Sequence, residues 1–117
     1  MKNQPFHRRL RCAFAGFFEA LRAENSFRTQ VLAAVFVIGI LLWRRPAPLW
    51  WALLIAIVVL VLALELMNTA IERLADHLHP DQHPHIRIVK DCGAAAVLVA
   101  SIGALGIAIA FAVDQWR

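Results

Sequence analysis

The chain has 117 residues, of which 61% are hydrophobic and only 17% charged. Soluble domains sit nearer half apolar and a quarter charged, and here the excess is gathered into long blocks, so a water-soluble globule is excluded and one membrane-embedded domain is expected. The formal net charge is +4. The basic residues flank apolar blocks, which fits anionic lipid heads; with no basic run interleaved with aromatics, nucleic acid is not expected as a partner. Cys12 and Cys92 form no motif and suggest no disulfide framework.

The first predicted element is a surface helix over about 6–23. Phe6, Leu10, Phe14, Phe17, Phe18 and Leu21 recur at three- and four-residue spacing, while Arg8, Arg11, Glu19 and Arg22 occupy much of the other side. Such a helix lies in the membrane interface. Its basic start leads into charged sequence, so it does not read as a signal peptide. Glu24, Asn25, Ser26 and Arg28 follow as a polar cluster, and Glu24 and Arg28 are spaced to pair across one helical turn. Val31 to Trp43 is apolar. Extended back to Phe27 it makes a first transmembrane helix, about 27–43. Arg44 to Pro48 form a tight turn, flanked by Trp43, Trp50 and Trp51 as at a membrane interface.

The second transmembrane helix is expected over about 48–76. Eighteen uncharged residues, Ala47 to Leu64, precede Glu65. Glu65, Asn68, Glu72 and Asp76 then recur at i, i+3, i+7 and i+11, so one helix face carries a polar stripe from hydrocarbon towards water. A carboxylate at the inner end of a span is costly unless paired, protonated or bound to a cation, which makes Glu65 a functional candidate. His77 to His85 reads as a loop broken by Pro80 and Pro84, without zinc-like spacing. Lys90 and Asp91 open the third span, about 91–113, in which Cys92 to Val113 are uncharged and rich in Gly and Ala. Packing between helices inside an oligomer accounts for most of those small residues.

Nine Lys and Arg residues fall on the side of the N-terminus and the His-rich loop, and three on the other. The positive-inside rule then puts the N-terminus, the polar stripe and the loop in the cytoplasm. Three helices are too few to enclose a large polar site alone, so a homo-oligomer is expected. Glu24 and Glu72, on different helices at similar depth, are candidate ligands of Mg²⁺, which prefers carboxylates together with substrate phosphates. Lys90 suits a phosphate and Asp91 could fix it, with Arg9 and Arg11 as further contacts. Glu65 lies deepest, where a lipid hydroxyl would sit, and suits a general base. Arg28 and Asn68 are expected beside that lipid. Phosphoryl transfer needs little beyond such alignment and charge neutralisation, although no Walker A segment is present. A small channel or transporter would also use intramembrane carboxylates, yet two of the spans offer almost no polar path.

Three segments carry a resemblance that covers nearly the whole chain: ALRAENSFR (Ala20 to Arg28), ELMNTAIERLAD (Glu65 to Asp76) and HPHIRIVKDCGAAAV (His83 to Val97). The chain resembles the bacterial integral-membrane diacylglycerol kinase family. That resemblance implies an all-α homotrimer in the bacterial inner membrane, three transmembrane helices plus a surface helix per subunit, with active sites between subunits. It implies ATP and Mg²⁺, with Glu65 as the base, and Glu24 and Glu72 holding the metal on ATP. Asn68, Asp76, Lys90 and Asp91 complete the polar site, and the loop around Asp81, Gln82 and His83 lies near the nucleotide. The implied reaction is phosphorylation of a membrane lipid hydroxyl, diacylglycerol to phosphatidic acid in one branch and undecaprenol to its phosphate in the other.

Overall fold

A computed structural model describes residues 2–117. Four helices follow in chain order: α1 (Phe6–Ala23), α2 (Asn25–Arg44), α3 (Pro48–Leu78) and α4 (Pro84–Trp116). Among the described residues there is no strand. Helices α2, α3 and α4 are each long and apolar enough to cross a membrane. At 1.5 Å per residue, α3 and α4 run about 46 and 50 Å, well beyond a ~30 Å hydrocarbon core. Their polar ends, joined by the loop, therefore project together past the apolar zone. Both helices reach further than the sequence pattern suggests. His77 and Leu78 stay in α3, and α4 starts at Pro84, so only residues 79–83 connect them. Proline at the first helical position sacrifices no hydrogen bond, which is why Pro84 opens α4 instead of breaking it.

The α2–α3 turn is held by backbone geometry. Arg45 adopts the left-handed conformation (φ 48°, ψ 58°), and its N–H donates to the Leu41 carbonyl at 2.8 Å. Pro46 prevents further helix, and Pro48 starts α3. At this end Leu41, Leu54 and Phe111 form the apolar core, backed by Val37, Trp50 and Ile107. Arg44 clasps α4: it donates to the Gln115 carbonyl at 2.7 Å, and its guanidinium lies 4.6 Å from the Trp116 ring centre. The Trp50 indole donates to the Asp114 carboxylate at 2.9 Å.

The chain does not bury its own apolar surface. Its accessible area is 8637 Å², against about 6,400 Å² for a soluble monomer of this mass. Only 11–17% of the most apolar window of each spanning helix is buried. Lipid or neighbouring subunits must cover the rest.

Candidate active site

Helix α3 positions the polar stripe, and α2 and α4 hold its inner and outer ends. Deepest is Glu65, 5% exposed and the one buried charged residue among those described. The Ser26 hydroxyl, in the first turn of α2, donates to Glu65 Oε2 at 3.4 Å. One turn along α3, the Asn68 amide Nδ2 donates to Glu72 Oε1 at 3.4 Å. Furthest out, Asp76 accepts from the Lys90 ammonium of α4. Lys90 is thus paired with the outer end of the stripe.

The Glu24 cluster differs from the sequence expectation. Glu24 is not inside a helix: its backbone is extended (φ −111°, ψ 115°), closing α1 and capping α2. The i, i+4 relation to Arg28 therefore crosses a break, and the pair does not form. Arg28 instead turns back to the C-terminus of α1, donating to the carbonyls of Leu21 (3.1 Å) and Arg22 (2.6 Å) and to the Asn25 side chain. A cation satisfies helix-end carbonyls well. Glu24 pairs with Arg73 of α3 at 3.4 Å, and Arg73 also reaches Glu19 at 3.4 Å. Glu19 is bound in turn by Arg22 at 2.8 Å. The Arg22 hydrogen bond and charge, with Arg73 adding to them, hold the Glu19 carboxyl below the usual glutamate range. Arg73 is the link that sequence reasoning missed. Its position beside Glu72 in the motif was the available signal, and its partners lie in α1 and at the α1–α2 break.

Around the loop, His83 caps α4: its Nδ1 accepts from the His85 N–H at 3.2 Å. The imidazoles of His79 and His85 flank it, with ring centres 5.0 and 5.4 Å away. An open cavity of about 910 Å³ runs beside this turn, lined by Gln82, His83, Arg87, Lys90 and Asp91 among others. Asp81 is exposed in the loop, and Arg9 and Arg11 are exposed on α1. No hydrogen bond or ion pair among the described residues joins those two arginines to the α3 stripe.

Among the described residues, no group of three or more His, Cys, Asp and Glu could hold a metal ion. Glu24 and Glu72 are partly exposed carboxylates on different elements, each with one modest partner. Glu24 and Glu72 share no hydrogen bond or ion-pair partner among the described residues, the first pairing with Arg73 and the second accepting from Asn68; Mg²⁺ is commonly bound by one or two carboxylates with substrate phosphates completing its shell, and both side chains are of that type.

Residues 11–112 match the family model described as prokaryotic diacylglycerol kinase. The chain belongs to that family. It is 39% identical over 88 residues to the diacylglycerol kinase of Pseudomonas aeruginosa, covering 75% of this chain and 72% of the relative. With the diacylglycerol kinase of Escherichia coli K12 it shares 35% identity over 96 residues, 78% of this chain and 79% of the other. The undecaprenol kinase of Bacillus subtilis is 32% identical over 89 residues, with 74% and 71% covered. The matched span includes the α1–α2 break, the α3 stripe and most of α4. The chain is therefore a bacterial membrane protein of a lipid-kinase family, and the channel alternative falls away.

Proposed function

We propose that the chain transfers the γ-phosphoryl group of ATP to the hydroxyl of a membrane lipid, converting diacylglycerol to phosphatidic acid. The observation that supports this most is the buried Glu65 carboxylate at the apolar end of the α3 stripe, in a chain of this family. A lipid hydroxyl reaches that depth, and a soluble acceptor does not. Glu65 takes the hydroxyl proton as the oxygen attacks the γ-phosphorus, and ADP leaves with the bridging oxygen. The Ser26 hydroxyl occupies Oε2, which leaves Oε1 to face the acceptor. Glu24 and Glu72 would hold Mg²⁺, which supplies charge neutralisation at the phosphates. Lys90 and Asp91 line the cavity that would take the nucleotide, together with Gln82 and His83.

The site faces the cytoplasm, where ATP is, in keeping with the excess of Lys and Arg at this end. A homotrimer would cover the lipid-length apolar faces and shelter the partly exposed carboxylates between subunits. The test is transfer of label from γ-³²P ATP with Mg²⁺ in mixed micelles carrying diacylglycerol or undecaprenol. Label in phosphatidic acid is expected. Label in undecaprenyl phosphate alone would move the substrate to the polyprenol branch, and label in neither would refute the reading.

A further inference from the structure

Helix α4 contains three glycines, and they are not equivalent. At Gly106 a Cβ would meet nothing within 4 Å, and at Gly103 only Ile57 Cδ1 at 3.9 Å. At Gly93 a Cβ would overlap the Asn68 Oδ1 outright, with Asn68 Cγ at 3.5 Å and Ile71 Cδ1 at 3.9 Å. Asn68 Oδ1 is fully buried and has no hydrogen-bond partner. The vacant Cβ direction of Gly93 thus aims an α-hydrogen at an oxygen that nothing else satisfies, the geometry of a weak Cα–H···O contact. The other end of the same amide donates to Glu72 Oε1. Flipping the amide would set its oxygen against the Glu72 carboxylate, so the orientation is fixed by charge.

We propose that Gly93 is a positioning residue for the metal–nucleotide site. Its missing side chain lets α4 approach α3 closely enough to seat the Asn68 amide, and Asn68 in turn aims the Glu72 carboxylate. This rests on the proposed role of Glu72. Small residues in lipid-embedded helices ordinarily serve close packing in general. Here the close approach falls on one atom of one polar side chain, next to a site residue. Alanine at this position is a better helix former than glycine, so helix propensity does not oppose the substitution. The overlap is relieved by swinging the Asn68 amide away, which breaks its bond to Glu72. The damage then falls on the position of the carboxylate, with the packing of α3 on α4 retained.

The test is Gly93→Ala, alone and combined with Asn68→Ala, in the full chain in micelles. Two readouts are used: Mn²⁺ binding in the presence of a non-hydrolysable ATP analogue, and steady-state transfer. G93A should weaken metal–nucleotide binding and raise the KM for Mg·ATP about tenfold, the scale of losing a support behind a metal ligand. In the N68A background the same substitution should add nothing, because the atom it strikes is gone. Should G93A alone fold poorly, N68A must restore folding. Normal G93A behaviour, an equal further loss in the N68A background, or misfolding that N68A does not repair would each overturn the proposal. If wild-type protein transferred no phosphate, the function would fall, while the binding readout would still judge Gly93.

Discussion

Replacing Ser26 by Ala removes the one side-chain hydrogen bond that, among the described residues, Glu65 receives from a neighbouring helix. The bond is 3.4 Å long, at the far end of the useful range. A hydrogen bond to a charged group contributes about 1.5–3 kcal/mol at good geometry, and at this length about 1 kcal/mol is reasonable. The substitution leaves Glu65 in place but free to turn, so the loss should appear in the chemical step. About 1 kcal/mol corresponds to a roughly fivefold fall in kcat. The KM values for lipid and Mg·ATP should hold, since the Ser26 hydroxyl is engaged with Glu65. Ser26→Thr keeps the hydroxyl and should remain within about twofold of wild type on the same scale. The assay is label transfer at saturating ATP with the lipid mole fraction varied. Full kcat in S26A would show that Oε2 needs no partner, and a rise in lipid KM with unchanged kcat would put Ser26 in the lipid pocket instead.

Arg73 occupies Glu24 in an exposed pair, the two side chains 46% and 32% accessible. Such pairs contribute about 0–1 kcal/mol, so Arg73→Ala should lower the Mg²⁺ concentration for half-maximal rate by up to about fivefold. An unchanged or raised requirement in a Mg²⁺ titration would count against Glu24 as a ligand. At the other end of the span, Arg44→Ala removes the bond to the Gln115 carbonyl and the stack on Trp116. A cost of about 1–3 kcal/mol is expected, seen as faster thermal inactivation in micelles with initial kcat intact, because Arg44 lies about 27 Å along α2 from Ser26, the partner of Glu65. Lost activity without lost stability would contradict a purely structural clasp.

The elements that depend on local pattern were legible in the sequence. Apolar runs of spanning length, prolines at helix starts and the interfacial tryptophans are all one-dimensional signals, and three helices able to span a membrane are found where they point. The polar stripe was legible for the same reason, since helical periodicity alone puts Glu65, Asn68, Glu72 and Asp76 on one face. The partners of those residues were not. Glu24 could be matched with Arg28 only by assuming a continuous helix, and the extended backbone at Glu24 removes that assumption. Its actual partner, Arg73, lies 49 residues away. Ser26 and Glu65 are 39 residues apart, and Asp76 and Lys90 meet only once the loop has folded back. Gly93 looked like one small residue among many in α4. Its distinction lies in what stands opposite, which no single-helix pattern contains. The family resemblance named the reaction, and the burial of Glu65 at the apolar end of the stripe supplied a physical reason for its proposed role.

The central claim is that Glu65 activates a lipid hydroxyl for attack on ATP, and Glu65→Gln with diacylglycerol as acceptor tests it most directly. The amide keeps the size of the side chain and can still accept from Ser26, but it cannot take the proton. Single-turnover label transfer should fall by at least about 10²-fold, the usual share of a general base. Binding of the metal–nucleotide pair and the thermal stability of the protein should be retained. Transfer by E65Q within about tenfold of wild type, far short of that general-base share, would contradict the account.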